Sequence, residues 1–242
     1  MRRFAVSVAV MAAFCAGVVL GVTVVQLRLS PVWRLIAGVE MHVLHTDFTP
    51  NWPMLHKQAL YHDNPSTMPI VMAGDSLVDY ADWPALLRRS DVGNRGITGD
   101  SAEGLLQRAD ELAAPGATIA LMIGENDLAA HQTVAATCTT VALLVRRLTA
   151  DHPLILHATL LTAAPTLNGP IRELDACERR ACAEAGRCTF LDLNPIMAPA
   201  GILDPALTLD GFHLNQQGYV RWADALRPVL DARVHERPGP RD

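Results

Sequence analysis

Hydrophobic and polar positions along the chain follow two regimes. The first is a run without a charged side chain, residues 4–25, which is 22 residues long. As a helix rising 1.5 Å per residue it would span about 33 Å, enough to cross the hydrocarbon core of a bilayer. A cleaved signal peptide has a shorter apolar stretch, about 7–15 residues, closed by a small-x-small site. Here the run continues through Val22, Thr23, Val24 and Val25 into Gln26 and Leu27. Residues 1–29 are therefore expected to be one N-terminal transmembrane helix, an uncleaved anchor, with a cleaved signal segment and a secreted product as the alternative. Cys15 follows Ala12, Ala13 and the bulky Phe14, a poor site for lipidation, and reads as a small apolar side chain in lipid.

The second regime begins after a stretch, 30–66, broken by Pro31, Pro50, Pro53 and Pro65, which reads as a juxtamembrane connector with a short helix near 32–44. From residue 67, short apolar runs alternate with segments of helical period. Strands are predicted at 69–73, near 92, and at 117–123, 153–161 and 188–193. Helices are predicted at 83–89, 101–113, 133–150, 171–185 and 216–234. Five strands separated by helices imply an α/β domain over 67–234 with a parallel, doubly wound sheet. The tail 235–242, with Glu236, Arg237, Pro238, Gly239 and Pro240, is expected to be disordered.

Composition sharpens this picture. The 20 basic and 25 acidic side chains give a net charge of −5, which excludes a polybasic nucleic-acid binder. Mean hydropathy is +0.18 with 5% aromatics; without the 22-residue run the remainder falls to about −0.05, an ordinary value for a water-soluble body. Arg2 and Arg3 precede the run and Arg28 and Arg34 follow it, so the positive-inside count decides little. A long downstream domain translocates largely regardless of charge. The expected topology is a short cytoplasmic N-terminus, a single pass through the inner (cell) membrane and a catalytic body outside the cytoplasm.

In that compartment Cys138, Cys177, Cys182 and Cys188 could pair. Four cysteines allow three connectivities. Cys182 with Cys188 is favoured because Gly186 lies between them at an expected helix end, leaving Cys138 for Cys177; four reduced, buried thiols are the alternative. No Cys-x-x-Cys occurs, so a structural zinc site is not expected.

Reactive groups in open parallel sheets gather beyond the carboxyl ends of the strands. Four turns there are unusual: Gly74-Asp75-Ser76-Leu77, Asn94-Arg95-Gly96-Ile97-Thr98-Gly99-Asp100, Gly124-Glu125-Asn126-Asp127, and Asp210-Gly211-Phe212-His213 before the last helix. A serine hydroxyl needs a base, histidine suits the task, and an acid must hold the histidine tautomer. Ser76, His213 and Asp210 meet those needs. The backbone N–H groups of Ser76 and Gly96 and the Asn126 amide could stabilise an oxyanion. By chance a chain of this length holds Asp-x-x-His about 0.6 times, Gly-x-Asn-Asp about 0.03 times and Gly-Asp-Ser-Leu about 0.0015 times. The weight therefore rests on all blocks standing in order at strand-to-helix junctions.

With these blocks the sequence resembles the GDSL/SGNH hydrolases over residues 67 to 231, with Ser76, Gly96, Asn126 and His213 in the four positions. The Asn-Arg-Gly-Ile-x-Gly-Asp form and Leu191-Asp192-Leu193-Asn194 are similar to the small bacterial lysophospholipase and platelet-activating-factor acetylhydrolase-like branch. The resemblance implies a flavodoxin-like three-layer α/β/α sandwich that hydrolyses esters or thioesters without metal or cofactor, with Ser76 as nucleophile, His213 as base and Asp210 orienting it. Glu125 departs from the small or hydroxyl residue more frequent there.

Other residues have plainer readings. Asp75 and Asp127 brace turns; His42 and His45 lack a third ligand, and His131, His152 and His157 lack a partner in the pattern. There is no Gly-x-Ser-x-Gly, so the larger α/β-hydrolase elbow is not the frame. The expected function is a serine esterase acting on short-chain or acetyl esters, the preference for small acyl groups resting on the scarcity of aromatics. Its partners are a small ester substrate and, through the N-terminal helix, the membrane, with no nucleic acid. Acyl or acetyl transfer on an envelope polysaccharide and a catalytically silent binding domain are the alternatives.

Overall fold

The computed structural model describes residues 52–62 and 64–235. The expected anchor, most of the connector, Cys15, His42 and His45, and the tail from residue 236 lie outside the described residues. Among the described residues no helix is long and apolar enough to cross a membrane.

Helix α1 (Trp52–His62) precedes strand β1 (Ile70–Gly74), and the short helices α2 (Ser76–Asp79) and α3 (Trp83–Leu87) lead to β2 (Val92–Gly96). Helix α4 (Ala102–Gln107) leads to β3 (Thr118–Met122), then α5 (Glu125–Ala129) and α6 (Val134–Asp151) to β4 (Leu154–His157). Helix α7 (Pro165–Ala185) leads to β5 (Cys188–Leu191), and α8 (Asn194–Met197) to the closing helix α9 (Gln216–His235). The five strands are parallel in the order β2-β1-β3-β4-β5. The predicted α/β/α sandwich with a flavodoxin-like strand order is thus what forms.

Alternation along the central strands divides the core. Ile70 and Met72, Ala120 and Met122, and Ile155 face Trp83 and Trp222, while Val71 and Ala73, Ile119 and Leu121, and Leu154 and Leu156 face Leu105, Val141, Leu144 and Leu148. Burial on both faces is why these strands are written as unbroken apolar runs. Gly74 lies level with Gly96 on one side and Met122 on the other. The ends of β1, β2 and β3 therefore share one rim, and the switch in connection direction falls beside β1.

Some elements differ from the sequence reading. The strand expected over 153–161 stops at His157, because the pairing ends with His157 opposite Leu191; Ala158, Leu160 and Leu161 are buried as loop residues. Helix α7 starts at Pro165 rather than 171, since proline suits a first turn, where no N–H partner is needed. Residues 52–62, expected to be irregular, are helical with Pro53 in the first turn. Two disulfides form in the favoured pairing. Cys138–Cys177 joins α6 to α7 with Cα atoms 6.0 Å apart, and Cys182–Cys188 joins α7 to β5 at 5.1 Å.

Candidate active site

The turn after β1 is shaped by close packing. A Cβ on Gly74 would lie 2.1 Å from the Met122 carbonyl oxygen, so only glycine lets β1 end against β3. Asp75 then caps α2 by accepting the Leu77 N–H at 3.0 Å, and Ser76 opens the helix. Below it, the Tyr219 hydroxyl on α9 donates to the Leu77 carbonyl at 3.0 Å, and the Trp83 indole donates to the Val78 carbonyl at 2.9 Å. The serine turn is thereby pinned to the core from beneath.

The fold brings His213 to this serine from 137 residues away, with Ser76 Oγ 3.1 Å from His213 Nε2. His213 Nδ1 lies 2.7 Å from Asp210 Oδ2. The other oxygen, Asp210 Oδ1, accepts the N–H groups of Phe212 and His213 at 2.9 and 2.7 Å. Thr208 Oγ1 staples the loop by donating to the His213 carbonyl at 2.8 Å and accepting the Gly211 N–H at 2.9 Å. Partial burial works against the Asp210 charge, but the bonds from the His213 ring and from the two backbone N–H groups hold its carboxyl below the usual range. With Nδ1 donating to Asp210, Nε2 is free to accept a proton from Ser76. The Tyr80 ring stands 5.4 Å from the His213 ring. It is exposed, and so presents an apolar surface beside the catalytic histidine.

The oxyanion side departs from the sequence reading at one residue. Asn126 Nδ2 donates to the Asp100 carbonyl at 2.9 Å, which leaves its second N–H to face a ligand. Gly96, expected to present its N–H, does not: that group donates to Asn94 Oδ1 at 2.8 Å. A Cβ at Gly96 would lie 2.4 Å from Asp79 N, so this glycine serves the close approach of α2 to β2. Three residues on, Gly99 adopts φ +80° with open space where a Cβ would stand. Among the described residues its N–H and that of Ser76 make no hydrogen bond. Nothing in the spacing separates Gly96 from Gly99, because which N–H is occupied depends on Asn94. The Asn94 amide also reaches the Val78, Asp79 and Ala81 carbonyls at 2.9, 3.2 and 3.1 Å, binding β2 to α2, and its place in the second block was its only sequence signal.

Carboxyls ring the site. Burial pushes Asp75 up to about 7 against the pull of the Leu77 N–H, with Asp100 adding to the rise. Burial, with Asp75 and Asp210 nearby, pushes Glu125 up to about 8. Asp100 also rises through burial, although Arg108 opposes the shift by donating to its Oδ2 at 2.9 and 2.7 Å. Asp127 accepts the Ala102 N–H at 3.0 Å; like Asp75, it ties a turn together, as expected. His157 is buried, and burial pushes it down to about 4, so its ring stays neutral against Trp222. His131 and His152 stand away from the relay, and His152 Nδ1 pairs with the Ala117 carbonyl at 3.0 Å. Among the described residues no three His, Cys, Asp or Glu side chains are grouped to hold a metal ion.

Comparison with known proteins agrees with this geometry. Residues 72–221 match the model of the GDSL-like Lipase/Acylhydrolase family. No curated protein matches the chain in sequence. A Streptococcus pneumonia protein provisionally named a platelet activating factor superposes with TM-score 0.68 at 22% identity, covering 81% of this chain and 98% of its own. A GDSL-like lipase from Bacteroides thetaiotaomicron VPI-5482 gives 0.61 at 18% identity, covering 74% and 98%. The psychrotrophic esterase EstA from Pseudoalteromonas sp., in a structure inhibited by monoethylphosphonate, gives 0.56 at 16%, covering 69% and 98%. At these identities the structures speak for the fold, and the family match carries the assignment: the chain belongs to the GDSL-like lipase/acylhydrolase family and is a serine ester hydrolase.

Proposed function

We propose that the protein cleaves short-chain or acetyl esters through an acyl-serine intermediate. The observation that carries this reading is the unbroken line from Ser76 Oγ through His213 to Asp210, at 3.1 and 2.7 Å. His213 Nε2 takes the proton as Ser76 Oγ attacks the ester carbonyl carbon, and Asp210 stabilises the resulting imidazolium. The carbonyl oxygen, now an oxyanion, is met by the N–H groups of Ser76 and Gly99 and the free N–H of Asn126, each such donor contributing about 2.7–4 kcal/mol. The imidazolium returns the proton to the leaving alcohol oxygen as the C–O bond breaks. Water then repeats the sequence, with His213 as base, and releases the acid and Ser76.

Two further assignments belong to this reading. Residues 1–29 anchor the protein in the inner membrane, or leave it secreted if they are cleaved, with the body outside the cytoplasm; the uncharged run 4–25 and the two disulfides support this. The acyl group is small, in keeping with the few aromatics in the chain. Purified protein is expected to hydrolyse p-nitrophenyl acetate faster than p-nitrophenyl octanoate, and Ser76→Ala to reduce the rate to background. Background hydrolysis by the unaltered protein, or full activity in Ser76→Ala, would overturn the reading.

A further inference from the structure

We propose that Lys57, on α1 and outside the 72–221 segment that matches the family, is a positioning residue for the active site, holding the 97–100 turn in place through Asp79. The proposal rests on the reading above, in which that turn presents the Gly99 N–H to the oxyanion and its Asp100 carbonyl orients Asn126. Asp79 is the last residue of the short helix that Ser76 opens. Its two oxygens have separate partners. Oδ1 accepts Lys57 Nζ, and Oδ2 accepts both the Thr98 N–H at 3.0 Å and the Thr98 hydroxyl at 2.7 Å. The carboxylate thus joins α1, the serine helix and the residue before Gly99.

The link depends on charge. The Asp79 side chain is only 12% exposed, and a carboxylate withdrawn from water needs a cation beside it. Lys57 is the cation it pairs with among the described residues. Arg108 cannot substitute, being committed to Asp100. Without Lys57, Asp79 would take up a proton, which weakens its hold on the Thr98 N–H and hydroxyl, or swing toward water, which ends it. Helix α1 is held in register for the task by its other end. The Tyr61 hydroxyl donates to the Asn94 carbonyl at 3.3 Å, the Arg95 guanidinium lies 4.4 Å from the Tyr61 ring centre, and Arg95 Nη2 donates to the Asn64 carbonyl. Thus α1 grips β2 and the serine helix together, and the hydrolase site is braced by a helix that precedes the family segment.

The test compares full-length Lys57→Ala, Lys57→Arg, Asp79→Asn and the double variant Lys57→Ala/Asp79→Asn by p-nitrophenyl acetate kinetics and by amide hydrogen exchange over residues 96–100. Lys57→Ala is expected to lower kcat ten- to hundred-fold with KM within about two-fold, and to speed exchange at the Thr98 N–H. Lys57→Arg should restore most of both, and the double variant should be no slower than Asp79→Asn. A wild-type kcat and unchanged exchange in Lys57→Ala would overturn the proposal, as would a loss that arginine does not restore. If the unaltered protein shows no esterase activity, the functional reading fails on its own, and the Thr98 exchange still decides whether Lys57 holds the turn.

Discussion

Replacing Asp75 by asparagine should make the protein more stable at alkaline pH and less active. Asp75 is 2% exposed, its cap to the Leu77 N–H can be kept by an asparagine oxygen, and burial raises its pKa from 3.8 to about 7. The folded state therefore holds this proton more tightly than the unfolded chain does. Stability from this group is full below pH 3.8, falls as pH rises toward 7, and stays low above it. The total difference is about 4 kcal/mol at 1.36 kcal/mol per unit, of which about 2.5 kcal/mol is lost between pH 5 and pH 8. Urea unfolding at both pH values should show Asp75→Asn gaining about 2–3 kcal/mol more over wild type at pH 8 than at pH 5. The ionised carboxylate also attracts a positively charged His213, so the variant should lower kcat/KM at pH 8. Equal stability changes at the two pH values would refute the account of Asp75 as a buried titrating acid.

Other substitutions report on separate parts of the structure. Gly96→Ala should cost about 1–3 kcal/mol and most of the activity, because the new Cβ would meet Asp79 backbone atoms at 2.4 and 2.7 Å; Gly99→Ala, with open space at its Cβ, should cost about 1–2 kcal/mol through φ alone. Thermal unfolding of both would show the contrast. Converting Cys138 and Cys177 to alanine opens a link spanning 39 residues and should remove roughly 4 kcal/mol, lowering Tm by about 8–16 °C. Glu178 is fully buried on α7, raised well above the usual carboxylate range by burial and by Asp175. Its contribution to stability is therefore lost as pH rises, and Glu178→Gln should flatten the decline in Tm across alkaline pH without a gain at pH 4.

What the sequence made legible follows from where a single physical cause acts alone. The central strands could be read from Pro69, Ile70, Val71, Met72 and Ala73 and from Ala117 to Ile123, because burial on both faces leaves no polar positions. The serine, histidine and aspartate could be read because their chemistry requires those side chains beyond strand ends. The disulfide pairing followed from Gly186 turning the chain between Cys182 and Cys188. Other features depend on contacts between distant segments. The run 153–161 looks like one strand because its second half is buried too, and only the last residue of β5 shows where pairing stops. Gly96 and Gly99 are interchangeable as letters until Asn94 is seen to occupy the first N–H. Helix α1 has two prolines shortly before or within it, Pro50 and Pro53, and its value to the site lies in Lys57 meeting Asp79, which no local pattern announces.

The central claim is that Ser76 is the nucleophile, and labelling with a fluorophosphonate followed by peptide mass mapping tests it most directly. One label is expected, on the Ser76 hydroxyl, abolished in Ser76→Ala and strongly slowed in His213→Ala. Labelling at another serine, or labelling that persists in Ser76→Ala, would contradict the account.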